Sequence, residues 1–340
     1  MDSLGSEGLY SQGFFSLSGA NNTFIDSDYA YVASSFDGAA IIDASDVSEP
    51  VTVWKIQPDN FGSRDNFTDV IVTGNLAIFI AYPGCGGWCQ GTFKSIAQVY
   101  EITNPAEPVL MDDFELNASS LGADENFLYA AISADGGAEP VPQLRIIDLS
   151  NPASADTVGS IEISGGGQLA VQGQIAFVSF NGFRNFNGID AVNIADPNKP
   201  VLLGDLVSAP VNVPHAPIAL SGNTAYIADR NNGVQVVDIS DPLNTQLLAN
   251  IPTTSEANDV AVAEGYLYVA QGIEGVAIYD IDIPTDPEFV QYIETPAAAL
   301  SITVSERIGA VSVDWVLEED NGQIARSIIE LHKLLLFLTH

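Results

Sequence analysis

Residues 232–244, NGVQVVDISDPLN, form a short apolar run that contains one aspartate and ends in Ser-Asp-Pro. Runs of valine are typical of a buried β-strand, which places Asp238 inside the strand. Proline cannot extend a central strand, and an acid before it can accept a hydrogen bond from a nearby backbone N–H, so Asp241 and Pro242 predict a turn. This stretch is therefore predicted to be a strand that ends in a tight turn.

The same segment recurs along the chain, with further copies that begin at Gly38, Ala97, Gln143, Gly188 and Gly275. The position of the aspartate is held by Asp43, Glu101, Asp148, Asn193, Asp238 and Asp280. All six side chains have an acceptor oxygen, which predicts a recurring hydrogen-bond acceptor for backbone N–H groups or a hydroxyl. A catalytic acid would not be needed six times.

A second repeated unit consists of two apolar runs joined by a polar turn. Its seven copies span residues 22–34, 69–82, 119–133, 168–180, 217–229, 259–271 and 300–315. Successive turns lie 41 to 51 residues apart, and repeats of this length made of short strands are typical of a β-propeller. We therefore predict an all-β fold, a seven-bladed β-propeller of four-stranded antiparallel blades.

The chain is predicted to form a single propeller domain over residues 1–340. Its blades are expected near residues 20–60, 66–115, 119–164, 167–208, 215–254, 257–294 and 299–340. The last blade lacks the Asp-Pro signature, and two ways of completing it stay open. Either the C-terminal tail supplies both outer strands, or residues 8–19 supply the outermost strand and remove an open sheet edge, which we favour.

The segments VQVVDISDP, LRIIDLSNP and AIIDASD resemble the LVIVD repeat, which is found in β-propellers of bacterial and archaeal surface or secreted proteins. The resemblance covers roughly residues 22–290 and is specific for the fold. It implies a surface or secreted protein, and it carries no catalytic motif that can be mapped onto this chain.

The charge balance limits the partners of the protein. The chain has 10 Lys and Arg against 44 Asp and Glu, a formal net charge of -34, and such a field repels nucleic acid and anionic membranes. Strong acidity fits a salty or extracellular setting. The start MDSLGSEG has no signal-peptide character, and the apolar run LLLFL is too short to span a bilayer. We expect a monomer or a part of a larger surface protein.

The variable loops are the expected binding face. In a propeller with strands A to D in each blade, the B–C and D–A connections share one face, and here they differ in length and sequence. The expected ligand-binding residues are Trp88, Phe93, Lys94, Phe183, Arg184, Arg230 and His215. Aromatic and cationic side chains together suit a protein, peptide or carbohydrate ligand. The structural alternative is that these residues pack the loops and pair with neighbouring acids.

Other candidate sites are less defined. Asp69 and Asp259 begin inner strands near the channel mouth and are candidate ligands of calcium, whereas turn-capping is the alternative use of these residues. Cys85 and Cys89 lie in one Gly-rich loop and can close a small disulfide. The preferred function is a non-enzymatic extracellular or cell-surface binding module. The alternatives are a propeller hydrolase or lyase with a cation at the channel mouth, and a structural domain of a larger surface protein.

Overall fold

The computed structural model describes residues 11–16, 20–34, 38–56, 66–82, 95–134, 141–181, 187–205, 216–305, 308–313 and 328–333. Strand β1 (Ser11–Ser16) comes first in the chain. Blade 1 contains β2 (Ala20–Asp26), β3 (Tyr29–Ser34), β4 (Gly38–Asp43) and β5 (Val51–Ile56). Blade 2 contains β6 (Asn66–Thr73), β7 (Leu76–Tyr82), β8 (Ile96–Glu101) and β9 (Val109–Glu115). Blade 3 contains β10 (Ala118–Ala123), β11 (Phe127–Ile132), β12 (Gln143–Asp148) and β13 (Asp156–Glu162).

Blade 4 contains β14 (Leu169–Gln172), β15 (Ile175–Asn181), β16 (Asn187–Asn193) and β17 (Val201–Asp205). Blade 5 contains β18 (Ile218–Ser221), β19 (Thr224–Ala228), β20 (Val234–Asp238) and β21 (Gln246–Ile251). Blade 6 contains β22 (Asp259–Ala263), β23 (Tyr266–Ala270), β24 (Val276–Asp280) and β25 (Glu288–Ile293). The last strands are β26 (Ala299–Val304), β27 (Ile308–Val313) and β28 (Ile328–Lys333). In every blade the four strands, here called A to D, pair antiparallel in chain order.

The prediction of a seven-bladed propeller was wrong. Six blades are built from consecutive strands. The remaining sheet has the order β1-β28-β27-β26, so it combines the first strand with the last three strands. We call it the closing sheet. Its outer strand is β1, which pairs antiparallel with β28. No turn joins these two strands, which explains why the Asp-Pro signature is missing there. By register with β27, Lys333 holds the place that the acceptor residue has in the blades.

Apolar side chains fill the space between neighbouring sheets. A separate buried cluster lies between each adjacent pair of described sheets around the ring, including the two interfaces of the closing sheet. The third residue of strand B is central to this packing, and five blades place a buried aromatic ring there: Tyr31, Tyr129, Phe177, Tyr226 and Tyr268. The closing sheet has Ala310 at this position. Each blade is thus covered on both faces, which explains the apolar, weakly alternating strands.

The recurring acceptor lies at the end of strand C. Oδ1 of Asp238 accepts a hydrogen bond from the backbone N–H of Ser240 at 2.8 Å. The equivalent side chains make the same contact with the residue two positions later, at 2.8 to 3.0 Å: Asp43, Glu101, Asp148, Asn193 and Asp280. Asp241 accepts from the N–H of Leu243 at 3.0 Å and forms a second turn of this type.

The prediction of a recurring backbone acceptor is therefore confirmed, and Asp238 lies in a buried strand as predicted, although at its less buried end. Asp238 is the last residue of β20 and is only partly buried. The hydrogen bonds from Ser240 lower its pKa. Because water can reach this carboxylate, its contribution to stability is smaller than that of a buried acceptor.

We expect Gly233→Ala to destabilise the protein far more than Gly222→Ala. Both glycines have positive φ, 82° and 54°. A Cβ on Gly233 would lie 2.0 Å from the carbonyl oxygen of Ile251, whereas a Cβ on Gly222 meets nothing within 4 Å. The expected losses in free energy of unfolding are about 3 and about 1 kcal/mol. Urea denaturation of the two variants measures this difference, and equal losses would contradict the close approach at Gly233.

Candidate functional site at the channel mouth

The innermost strands surround a central channel with a volume of about 410 Å³. Its lining comes from strand A of each blade and from β26, with largely apolar side chains such as Phe24, Leu121, Leu169, Leu220 and Val262. Strand A begins at the face formed by the B–C and D–A connections, which we call the variable-loop face. The opposite face carries the A–B and C–D turns.

One position near the start of each inner strand faces the fifth residue of strand B. It is held by Asn22, Asp69, Ser120, Gln168, Pro217, Asp259 and Ser301. The side chain is polar in all of these residues except Pro217, although the strands that follow are apolar. We call this set the mouth ring, because it lies at the end of the channel on the variable-loop face.

Asp69 uses both carboxylate oxygens within the mouth ring. Its Oδ1 accepts from the Asn22 side chain and from the N–H of Val70 at 2.9 Å. Its Oδ2 accepts from the N–H of Leu121 at 2.9 Å. The carboxylate therefore joins blades 1, 2 and 3. Burial raises the pKa of Asp69 to about 6, and the hydrogen bonds from Asn22, Leu121 and Val70 partly oppose that rise.

Asp259 makes the equivalent contacts between blade 6 and the closing sheet. Its Oδ1 accepts from the N–H of Val260 at 2.8 Å, and its Oδ2 accepts from the N–H of Ile302 at 3.0 Å. Desolvation by the surrounding protein raises the pKa of Asp259 to about 7. Ser120 uses its hydroxyl in the same way, because its Oγ accepts from the N–H of Leu169 in blade 4 at 3.2 Å. The mouth ring thus holds neighbouring inner strands together.

The two candidate calcium ligands lie in different blades. Asp69 is in blade 2 and Asp259 is in blade 6, and blade 1 and the closing sheet separate them on the shorter way round the ring. Within the described ranges, no group of three or more His, Cys, Asp or Glu side chains is arranged to hold a metal ion. Both carboxylates already accept two backbone N–H groups. Calcium binding at the channel mouth stays a prediction.

Most of the expected ligand-binding residues fall outside the described residues: Trp88, Phe93, Lys94, Phe183, Arg184 and His215. The predicted disulfide partners, Cys85 and Cys89, also lie outside them. Arg230 is described, in the B–C connection of blade 5. Its side chain is 59% exposed, and Nη1 lies 3.9 Å from Oε2 of Glu256. An exposed pair of this kind contributes little stability, so the guanidinium can exchange Glu256 for a ligand.

Backbone hydrogen bonds fix the position of Arg230 on the variable-loop face. Its N–H donates to the carbonyl of Ala257 at 3.2 Å, and the N–H of Ala257 donates back at 3.1 Å. This contact ties the B–C connection of blade 5 to the segment that enters blade 6. Arg230 has a φ of 44°, which few residues other than glycine adopt.

Sequence reasoning missed the mouth ring as a set. It considered Asp69 and Asp259 as cation ligands but not Asn22, Ser120 or Gln168. A signal was present, since aligned copies of the hairpin place a polar residue at the same position before an apolar run. Their hydrogen-bond partners lie in the next blade, and that pairing cannot be seen in a single repeat.

Comparison with known proteins identifies the repeat. The family model of the LVIVD repeat matches residues 20–56, 117–162, 216–253 and 255–295, which correspond to blades 1, 3, 5 and 6. No curated protein matches the sequence.

Solved structures share the architecture at low identity. The WD40 domain of Pan2 from Neurospora crassa matches with a TM-score of 0.66 and 10% identity, over 97% of this chain and 96% of that chain. The computationally designed Ika8 protein matches with a TM-score of 0.59 and 10% identity, over 96% and 100%. BamB from Moraxella catarrhalis matches with a TM-score of 0.52 and 11% identity, over 94% and 84%. Identities this low indicate the fold alone.

The ring of four-stranded blades around a channel defines the protein as a β-propeller. Within this class, four of its blades match the LVIVD repeat, and the resemblance seen in the sequence is confirmed. Across the described residues, no helix is both long and apolar enough to cross a membrane.

We expect the stability difference between wild type and Asp259→Asn to depend on pH. The pKa of Asp259 is higher in the folded protein, about 7, than its ordinary value of 3.8, so its stabilising contribution is complete below pH 3.8 and is lost as the pH rises through 7. The loss is at most about 4 kcal/mol. The amide of the variant does not titrate and offers one acceptor fewer, so the variant has the lower free energy of unfolding at pH 5. The difference in free energy of unfolding between the two proteins narrows or reverses by pH 8.

Urea denaturation at pH 5, 6, 7 and 8 measures this gap. Asp148→Asn is the matched control, because hydrogen bonds from the side chain and backbone of Ser150 lower the pKa of Asp148 and its ionisation is complete in this range. A gap for Asp259→Asn that stays constant between pH 5 and 8 would contradict the raised pKa.

Proposed function

We propose that this protein is a non-enzymatic binding and interaction module, located outside the cell or on its surface, with its ligand site on the variable-loop face. The observation that carries the proposal is the structural role of the acidic residues that recur from blade to blade. Asp69 and Asp259 accept hydrogen bonds from neighbouring blades, and the strand C acids such as Asp238 close turns. These carboxylates stabilise the scaffold. The residues that vary from blade to blade lie in the B–C and D–A connections.

The ligand of this face is proposed to be a protein, a peptide or a carbohydrate. Aromatic rings at Trp88, Phe93 and Phe183 would supply contact area, and the cations at Lys94, Arg184, Arg230 and His215 would supply hydrogen-bond donors. Arg230 supports the proposal, since its exposed guanidinium is held on this face by backbone hydrogen bonds. The net charge of -34 supports a setting outside the cell, where a highly hydrated acidic surface keeps proteins soluble.

We expect Trp88→Ala to weaken binding to a ligand of the variable-loop face by about tenfold or more, because buried aromatic side chains dominate interface energies. A peptide and glycan array probed with the purified full chain identifies the ligand, and titration with the best binder measures the loss. Leu243→Ala is the matched control, because Leu243 is an exposed apolar residue in a C–D turn on the opposite face. Unchanged binding by Trp88→Ala together with weaker binding by Leu243→Ala would place the site on the turn face instead.

A second candidate function is a hydrolase or lyase that uses a cation at the channel mouth. One observation favours it: the pKa values of Asp69 and Asp259 are raised to about 6 and about 7, and carboxyl groups that titrate near neutrality are common in active sites. Under this function, millimolar calcium raises the melting temperature of wild type at pH 8 but not that of Asp69→Asn. Equal shifts in both proteins would argue against a site at Asp69.

A further inference from the structure

A groove of about 440 Å³ lies on the outer side of the ring between blades 5 and 6. One wall is the end of β21 with the following Pro252, and the other wall comes from blade 6. The blade 6 wall contains Tyr279, Phe289 and Tyr292, together with the turn at Asp286 and Pro287. This volume is within the range of pockets that hold small ligands.

The three rings of blade 6 form one continuous aromatic surface. The ring centroids of Tyr279 and Phe289 are 5.7 Å apart, and those of Phe289 and Tyr292 are 4.7 Å apart. Tyr279 is buried at the base of the surface, whereas Phe289 and Tyr292 are 50% and 43% exposed. Two large rings therefore remain in water next to a groove, where a ligand could cover them.

The repeat does not require these aromatic residues. The register places Leu247 and Asn250 of blade 5 at the positions of Phe289 and Tyr292. The corresponding triplets in the other five blades are Ile42-Thr52-Lys55, Tyr100-Leu110-Asp113, Ile147-Thr157-Ser160, Val192-Leu202-Asp205 and Val237-Leu247-Asn250. None of them has more than one aromatic ring, so among the six blades only blade 6 has three rings at these positions.

The charge around the groove favours a cationic ligand. Between Arg230 and Arg307 the sequence contains no Lys, Arg or His, whereas residues 231–304 contain eleven Asp and Glu. Asp286 is exposed and lines the groove, and Glu288 begins the strand that carries Phe289 and Tyr292. Aromatic ring faces attract organic cations, and a negative field adds to that attraction. A neutral sugar could donate hydroxyl hydrogen bonds to the acids, but it would gain nothing from the negative field.

We propose that this groove binds a basic, extended peptide segment of a partner protein, with a Lys or Arg side chain over the rings of Phe289 and Tyr292 and its charge near Asp286. The site lies on the outer side of blades 5 and 6 and meets the variable-loop face only at Pro252, so it does not depend on the function proposed for that face.

The experiment must distinguish this site from general attraction of a cation to an acidic protein. The probe is a fluorescein-labelled peptide with three Gly-Arg repeats, titrated with the full chain at about 0.15 M salt, where long-range attraction is largely screened. The neutral comparison is the same peptide with citrulline in place of arginine, which keeps the shape and loses the charge. A neutral hexasaccharide is tested as a competitor.

The test variant is Phe289→Leu combined with Tyr292→Asn, which introduces the residues that blade 5 has at these positions and leaves the net charge unchanged. Leu110→Ala is the matched control in blade 2, because Leu110 occupies the position of Phe289 and is 47% exposed. Thermal melting of each variant establishes that the ring is folded.

We expect the arginine peptide to bind the double variant about tenfold more weakly than wild type, since two cation–π contacts are lost, and to bind Leu110→Ala as wild type does. Asp286→Asn should also weaken binding, and the citrulline peptide should bind poorly to all proteins. Equal affinity of the arginine peptide for wild type and the double variant would overturn the proposal, since only general charge attraction would remain. Binding of the hexasaccharide with no binding of either peptide would overturn it in favour of a carbohydrate site.

Discussion

The apolar contact between neighbouring sheets is the interaction on which the rest of this structure depends. Each blade has buried side chains on both faces, such as Val236 and Val237 in blade 5, so no blade can be stable without a neighbour on either side. A row of such blades becomes fully covered only when it closes into a ring. The closing sheet follows from that requirement, because it takes strands from both parts of the chain and packs against blades 1 and 6. The mouth ring adds hydrogen bonds between neighbouring inner strands.

The sequence predicted those features that are complete within one repeat. Glu101 and Asn193 in place of aspartate indicated an acceptor instead of a catalytic acid, and the hydrogen bonds agree. The partial exposure of Asp238 was not predicted, because a valine run does not show where the strand ends. Features that need two repeats were not predicted. The backbone N–H partners of Asp69 and Asp259 lie 52 and 43 residues further along the chain, and the aromatic groove takes its walls from two blades.

Architecture and function occupy different positions in this chain. Structures at 10 or 11% identity reproduce the arrangement of strands, so the pattern of apolar strands and turns is enough to specify a ring. Residues at the positions that every blade shares stabilise the ring. Residues that depart from the repeat are not needed for that purpose, and they include the connection at Arg230 and the aromatic side chains of blade 6. A surface that selection can change without loss of the fold is therefore found where the copies differ.

The pairing of β1 with β28 also decides how the ring responds to tension. Ser11 lies opposite His332, and Ser16 lies opposite Ile328, so the first residue of β1 and the last residue of β28 lie at the same end of this ladder. A force that pulls these two ends apart breaks one hydrogen-bonded pair at a time and does not shear the whole ladder at once. Opening at this seam releases β1 from the closing sheet before any of the six blades is pulled apart. Under tension, the closing sheet is therefore the part of the propeller that opens first.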